Sequence, residues 1–138
     1  MQRLTPNMAV KDVAKSSAFY RDVLGFELLM AVAEEKSGFD TDLDGNKHYI
    51  WAMLKHGGVE VMLQEDTSLK EDVGDFFSTI GASITLYINV EDVEAYYHTL
   101  QENVAIVKPL ETTWYGMREF YIRDCNGYIL AFATQEAE

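Results

Sequence analysis

The sequence has 138 residues, of which 48% are hydrophobic and 12% aromatic, and its formal net charge at pH 7 is −12. This length and apolar content are typical of one folded domain and exclude a disordered chain. The acidic charge repels phosphates, which excludes nucleic acid as an expected partner, and it favours cationic small molecules unless it serves solubility alone.

The first half of the chain predicts the order β-α-β-β-β. Apolar stretches bounded by turn residues predict strands at 4–10, 26–32, 48–54 and 59–64. Asp12 is a good N-cap for the intervening helix, whose apolar stripe consists of Val13, Ser16, Ala18, Phe19, Val23 and Leu24. Gly25 follows where a helix commonly ends in a left-handed residue, and Lys55-His56-Gly57-Gly58 is predicted as a hairpin turn.

After a polar connector with a short predicted helix at 69–77, the second half repeats this order. Strands are predicted at 83–90, 106–110, 117–123 and 128–133, with a helix at 91–101. The apolar positions of that helix are Val93, Tyr96, Tyr97 and Leu100. The Val-x-Asp-Val motif at 10–13 recurs at 90–93, which indicates an internal repeat. We therefore predict one domain over 1–138, with module one at 1–65, a connector at 66–82 and module two at 83–138.

Two motifs in opposite modules resemble one known superfamily. SAFYRDVLGF at 17–26 resembles the first-helix signature of glyoxalase, bleomycin-resistance and extradiol-dioxygenase proteins, the vicinal-oxygen-chelate superfamily. GMREFYIRDCNGY at 116–128 resembles the closing hairpin of the same proteins, with Cys125 where proline is usual. The resemblance implies an α+β fold of two tandem β-α-β-β-β modules that form a curved mixed sheet around one cavity, commonly completed in a homodimer.

The resemblance also implies where a metal ion would be bound. Metal-dependent members place two ligands in each module, and these positions correspond here to Thr5, Glu60, Thr85 and Ala131. Only Glu60 is a strong ligand, and no histidine falls on these positions even after a shift of two residues. We therefore expect no metal and no other cofactor. Glu60 is expected to be an unpaired carboxylate that sets a negative potential, unless it pairs with Arg118 or Arg123.

Strand alternation predicts which side chains line the cavity. The predicted ligand-binding residues are Trp51, Met53, Glu60, Met62, Gln64, Thr85, Tyr87, Glu119 and Tyr121, with Trp114 and its neighbour Tyr115 in a loop that closes over the ligand. Aromatic faces combined with carboxylates suit flat or cationic ligands. The alternative for Trp51 and Met53 is a place in the core or in a dimer interface.

Two further motifs are interpreted as structural. The acidic stretch Asp40-x-Asp42-x-Asp44-Gly45 resembles the start of an EF-hand loop, but its twelfth position is Trp51, which favours a solvated turn. Cys125 is the only cysteine, and the neighbouring carboxylate disfavours a reactive thiolate. The lack of a disulfide, of a basic and apolar leader and of a roughly 20-residue apolar run predicts a cytoplasmic protein without membrane contact.

Two functions follow from these expectations. The first is a metal-free protein of bleomycin-resistance type, which gives antibiotic resistance by sequestering a cationic or aromatic small molecule without transforming it. The alternative is a metal-dependent lyase, isomerase or dioxygenase of glyoxalase type, with Glu60 plus unusual ligands such as Gln64, Glu119 or Tyr121, or with two carboxylates as acid and base. The sequence identifies no catalytic residue, because fold likeness does not select one chemistry. A homodimer is also expected, since the apolar surface of Trp51, Trp114 and Tyr115 is unfavourable on a monomer.

Overall fold

The computed structural model of the chain describes residues 2–75, 79–81 and 83–136. The Cα positions separate into two compact units, Met1–Ile80 and Gly81–Glu138, which are called unit 1 and unit 2 below. Each unit contains one mixed four-stranded sheet. Within this described part, no helix combines the length and the apolar character needed to span a membrane.

The described part of unit 1 contains four strands and two helices. In chain order these are β1 (Asn7–Val10), α1 (Val13–Asp22), β2 (Glu27–Ala33), β3 (Tyr49–His56), β4 (Val59–Glu65) and α2 (Asp66–Val73). The order of strands in the sheet is β1-β4-β3-β2, with β1 parallel to β4 and the other neighbours antiparallel. β4 therefore lies in the centre of the sheet, next to the first strand of the chain.

The two faces of this sheet differ in character. Alternate residues, among them Leu54, Val61 and Leu63, are buried on the face against which α1 packs. α1 begins after Asp12, whose carboxylate accepts a hydrogen bond from the Lys15 amide at 3.0 Å, so the predicted N-cap is confirmed. The residues between these alternate positions point to the opposite face, which carries the predicted ligand-binding side chains of unit 1.

Unit 2 repeats the order of unit 1. Its described elements are β5 (Thr85–Asn89), α3 (Val93–Leu100), β6 (Ala105–Thr112), β7 (Met117–Arg123) and β8 (Ile129–Gln135). The sheet order is β5-β8-β7-β6, with β5 parallel to β8, which is the connectivity of unit 1. The predicted internal repeat and the α+β fold of two β-α-β-β-β modules are therefore confirmed. The cavity that the resemblance implies stays a prediction.

An aromatic cluster joins α3 to its sheet. Tyr97 packs edge-to-face on Phe120 with ring centroids 5.0 Å apart, and Tyr96 packs on Phe132 at 4.9 Å. Both phenylalanines are buried. Because neighbouring residues of a strand point to opposite faces, Glu119 on β7 lies on the other face of the same sheet.

Several predicted boundaries differ from the observed ones, and in three elements the difference has a local reason. The first strand starts at Asn7 rather than at position 4, because Pro6 has no N–H to extend the ladder, although its carbonyl accepts from the Met62 amide at 2.8 Å. β3 continues to His56 because the turn consists of two glycines only. The connector helix begins at Asp66 rather than 69 and ends before Gly74, whose φ is 95°. Its predicted end at position 77 lies outside the described residues.

Candidate functional site

Glu119 is an acidic side chain in the interior of unit 2. It lies in the middle of β7, and only 2% of its surface is exposed. Both carboxylate oxygens are hydrogen-bonded by phenols, since Tyr87 donates to Oε2 and Tyr115 donates to Oε1. As far as the structure describes the chain, Glu119 forms no ion pair with a basic side chain. A buried carboxylate without a cation is costly, which makes this position a candidate for function.

Tyr87 reaches Glu119 across an intervening strand. In the register of unit 2, Tyr87 on β5 pairs with Ala131 on β8, and Glu119 on β7 pairs with Ala133. Neighbouring strands are about 4.8 Å apart, so the two interacting side chains start two strand spacings from each other. Alanine at both β8 positions leaves room for the phenol to lie over that strand, because a larger side chain on this face would occupy the same space.

Tyr115 comes from the turn between β6 and β7. The Gly116 amide donates to the Thr113 carbonyl at 3.1 Å, and Gly116 has a φ of 83°, a conformation that glycine adopts without strain. The turn brings the Tyr115 hydroxyl to Glu119 and leaves Trp114 95% exposed, with the two aromatic rings edge-to-face at 5.3 Å. An exposed tryptophan therefore stands next to a phenol that is bound to the buried carboxylate.

The electrostatics of this cluster favour a cation. The hydrogen bond to Glu119 raises the pKa of Tyr115 to about 12, and burial, together with the same carboxylate, raises the pKa of Tyr87 above its ordinary value. Both hydroxyls are therefore protonated donors at neutral pH. Glu111 on β6 pairs with Glu119 on β7 and adds a second acidic group near the cluster. The Nζ atom of Lys108 lies 3.5 Å from Oε1 of Glu111.

The other predicted residues of unit 2 lie on the same face with different surroundings. Tyr121 pairs with Ala131, and the Nζ atom of Lys108 lies 5.6 Å from the centroid of the Tyr121 ring. Thr85 is exposed on β5, at the edge of the sheet. The structure thus brings Tyr87, Glu119 and Tyr121 together and leaves Thr85 at the margin. A ligand-binding role for each of them stays a prediction.

Glu60 in unit 1 has a basic partner. The Nη1 atom of Arg3 lies 3.1 Å from Oε1 of Glu60. The expectation of an unpaired carboxylate is therefore wrong, and the partner is not Arg118, which binds Glu94 on α3 at 3.0 Å. Arg3 precedes β1, and β1 runs beside β4, so the sheet order brings these two side chains together.

The remaining predicted residues of unit 1 share one face of the sheet. Trp51 pairs with Gln64, and Met53 pairs with Met62, in the register of β3 and β4. Trp51, Met53 and Met62 are partly exposed, whereas Gln64 is buried. The shared face follows from strand alternation, and ligand binding by these four side chains stays a prediction.

Gln64 connects the sheet of unit 1 to α2. Its Oε1 accepts from Nδ2 of Asn7 at 2.9 Å, and its Nε2 donates to Oγ of Ser68 at 2.9 Å and to Oδ2 of Asp72 at 2.8 Å. Ser68 and Asp72 both belong to α2. The amide group is thus satisfied by protein partners, and its evident role is to hold the helix on the sheet.

The residues at the metal positions that the resemblance implies do not form a ligand set. In unit 1, Thr5 lies before β1 and Glu60 is bound to Arg3. In unit 2, Thr85 is exposed, and the buried Ala131 has no donor atom. Among residues 2–75, 79–81 and 83–136, no three or more His, Cys, Asp or Glu side chains are grouped so that they could hold a metal ion. These positions do not fit a divalent metal.

Two other polar groups of unit 1 have structural partners. His48 binds Glu34 through Nδ1 at 3.0 Å and Glu65 through Nε2, and these hydrogen bonds, led by that to Glu34, raise the pKa of His48. In the acidic stretch, the Tyr49 hydroxyl donates to Oδ2 of Asp40 at 2.6 Å. This contact ties the loop to the buried Tyr49, which agrees with the interpretation of the stretch as a turn.

Sequence reasoning missed two contacts of these sites. The hydroxyl of Tyr115 binds Glu119 four residues later, and a glycine between an aromatic residue and a strand is a local signal from which this contact could be inferred. The pairing of Arg3 with Glu60 spans 57 residues and has no local signal, because it depends on the neighbouring position of β1 and β4.

A comparison with family models matches residues 3–132 to the Glyoxalase/Bleomycin resistance protein/Dioxygenase superfamily. A comparison with curated proteins gives no match. Similar solved structures include a protein of unknown function from Agrobacterium tumefaciens str. C58, with 24% identity and a TM-score of 0.72 over 100% of this chain and 95% of that one. TioX from Micromonospora sp. ML1 has 20% identity and a TM-score of 0.69 over 98% of this chain and 99% of its own. A superfamily member from Sphaerobacter thermophilus DSM 20745 has 25% identity and a TM-score of 0.63, with coverages of 95% and 96%.

Proposed function

Because the chain belongs to the glyoxalase/bleomycin resistance protein/dioxygenase superfamily, we propose that it is a metal-free binding protein that sequesters a cationic or aromatic small molecule. Such a protein gives antibiotic resistance by lowering the concentration of free compound, a role that the words bleomycin resistance protein indicate for some members. The observation that carries the proposal is the buried Glu119 with two phenols as its partners.

The composition of the Glu119 cluster supports binding. Small-molecule sites consist mainly of aromatic and apolar groups with a small number of polar groups that fix the orientation of the ligand. Tyr87, Tyr115 and Trp114 offer partly or fully exposed aromatic rings, and Glu119 offers the acidic group. Aromatic rings attract both flat molecules and cations, and the carboxylate adds a preference for cations.

The proposal is tested by titrating the protein with bleomycin and with other planar cationic compounds while tryptophan emission is recorded. Trp114 lies beside Tyr115, so a ligand at Glu119 is expected to change its emission. Binding in the micromolar range or tighter is the expected result. If no compound binds at high micromolar concentration, sequestration is contradicted and only the fold remains assigned.

A metal-dependent lyase, isomerase or dioxygenase is the contrasting function within the superfamily. Elemental analysis of the purified protein separates the two functions, and we expect no stoichiometric nickel, zinc, iron or manganese. One metal ion per chain that survives dialysis would overturn the metal-free proposal, because it would require ligands other than the four positions described above.

We also propose that the protein works as a homodimer. Trp114 is almost fully exposed and Tyr115 is half exposed, which leaves an aromatic surface on one chain. Two-fold association is the commonest closed arrangement. Light scattering at micromolar concentration is expected to give about twice the chain mass of 15.7 kDa, and a single chain mass would contradict the dimer.

A further inference from the structure

We propose that Glu119, Tyr87 and Tyr115 form a gated site for a protonated amine that is carried on an aromatic ring system. In the free protein the Tyr115 hydroxyl occupies one oxygen of Glu119, and the N–H group of the ligand replaces it there. The inference rests on the proposed function and adds the ligand class, the recognition residue and the residue that moves.

The preference for a cation follows from the missing counter-ion. Within the described residues Glu119 has only neutral hydroxyl partners, and Glu111 stands opposite it on β6. Lys108 is on the same face but lies beside Glu111 and over the ring of Tyr121. A cation placed on Glu119 forms a charge-assisted hydrogen bond, which is roughly twice as strong as the neutral phenol contact that it replaces.

The position of the two phenols decides which of them moves. Tyr87 belongs to β5, whose residues are paired with β8 along its whole length, so its backbone is fixed. Tyr115 lies in a turn whose described backbone hydrogen bonds are made by Thr113 and Gly116. Its half-exposed side chain can therefore rotate into solvent without breaking the turn, whereas Tyr87 remains on Oε2.

The chemistry of the ligand follows from the oxygen that Tyr115 leaves. A buried acceptor without a donor costs free energy, so the incoming group must bring a donor of its own, and the charge of the carboxylate favours the N–H of a cation over a neutral O–H. A primary or secondary ammonium meets this requirement, and a quaternary ammonium does not. The rings of Tyr87, Tyr115 and Trp114 beside the carboxylate favour an aromatic scaffold next to the amine.

The inference is tested by calorimetric titration with three probes that share one scaffold. These are 1-naphthylmethylamine, its N,N,N-trimethylammonium derivative and 1-naphthylmethanol. The amine is expected to bind at least about tenfold more tightly than the other two, which corresponds to about 1.4 kcal/mol or the scale of one charge-assisted hydrogen bond. Equal affinity of the amine and the alcohol would overturn the inference.

Three variants test which side chains recognise the amine. Glu119→Gln keeps the shape of the side chain and is expected to lower the affinity for the amine about tenfold or more. Glu111→Gln makes the same change one strand away and is expected to lower this affinity about threefold at most. Tyr115→Phe removes the hydroxyl that donates to Oε1 of Glu119, and it is expected to raise the affinity for the amine about threefold or more, since this hydroxyl then no longer competes for the oxygen. Weaker binding in Tyr115→Phe, or equal losses in the two glutamine variants, would overturn the inference.

Failure of the inference is distinguishable from failure of the proposed function. If the wild-type protein binds the alcohol as well as the amine, and Glu119→Gln binds both unchanged, aromatic sequestration stands and the amine site is overturned. If the wild-type protein binds no probe and no bleomycin-type compound, both are overturned. Circular dichroism confirms folding of each variant, and the Tyr115→Phe comparison decides the case if Glu119→Gln does not fold.

Discussion

The guanidinium of Arg3 binds the carboxylate of Glu60 at 3.1 Å, with the Arg3 side chain 66% exposed and the Glu60 side chain 13% exposed. Ion pairs of this kind are screened by water, so their coupling is typically below about 1 kcal/mol. We expect Glu60→Gln to change the free energy of unfolding by less than about 1 kcal/mol, and a double-mutant cycle with Arg3→Gln to return a coupling of the same size. Urea unfolding measures both, and a loss above about 2 kcal/mol would contradict the expectation that the exposed Arg3 side chain leaves the pair screened by water.

The order of elements was predictable because its signals are local. Asp12 and Asp92 each accept a hydrogen bond from the backbone amide three residues later, and the motif around them is visible in the sequence of both modules. Strand alternation likewise placed Glu119 and Tyr121 on one face and Phe120 on the other.

The contact between Tyr87 and Glu119 was not predictable from local signals. It requires that β8 lies between β5 and β7 and that Ala131 leaves space above β8. Both conditions are properties of the folded sheet. Alternation assigns a side chain to a face, but the strand order decides which side chains on that face meet.

His48 is expected to make stability depend on pH. Its hydrogen bonds to Glu34 and Glu65 raise its pKa above the ordinary 6.5. The stabilisation is therefore complete below the pKa of the unfolded chain and is lost as the pH rises through the higher pKa of the folded protein. The difference in melting temperature between the wild type and His48→Gln should be largest near about pH 6 and should shrink towards about pH 8.

A matched histidine in the other unit serves as the control for this pH dependence. His98 is exposed on α3, where it lies 3.4 Å from Gln101 and packs edge-to-face on Tyr97 at 5.9 Å, and neither contact is with a carboxylate. His98→Gln is expected to lower the melting temperature little at any pH between about 6 and about 8. A His48→Gln difference that grows as the pH rises would contradict the assignment, because it has the opposite sign.

Gln64 is expected to be the main polar anchor of α2. Gln64→Met keeps the length of the side chain and removes the hydrogen bonds to Asn7, Ser68 and Asp72. We expect a loss of about 1–3 kcal/mol, because the buried Ser68 hydroxyl loses its partner. Amide exchange over Asp66–Val73 should accelerate more than exchange in α1, since two of the lost bonds hold α2 and none of them holds α1. The exposed Gln2→Met is the control, and equal acceleration in both helices would contradict a local anchor.

Ala131 is expected to be needed for the contact between Tyr87 and Glu119. Ala131→Leu adds volume to a buried position that pairs with both Tyr87 and Tyr121, so we expect destabilisation by about 1–3 kcal/mol. Displacement of Tyr87 should also lower its raised pKa, which a spectroscopic titration of the tyrosines detects. Ala95→Leu places the same change on the exposed surface of α3 and should alter neither quantity appreciably. If Ala131→Leu leaves the tyrosine titration unchanged, the phenol does not depend on space above β8.

Glu119→Gln is expected to affect stability and binding in opposite directions. A buried carboxylate that has only neutral partners destabilises the folded state, whereas a glutamine side chain carries no charge into the interior. Because hydroxyl groups accept as well as donate, the side-chain amide of the variant can keep contacts with both Tyr87 and Tyr115. The free energy of unfolding should therefore stay level or rise by about 1 kcal/mol, while the affinity for an aromatic amine falls. Thermal melts and titrations on this variant measure the two effects together. A lower melting temperature with unchanged amine affinity would show that Glu119 serves the fold of unit 2 and not a ligand.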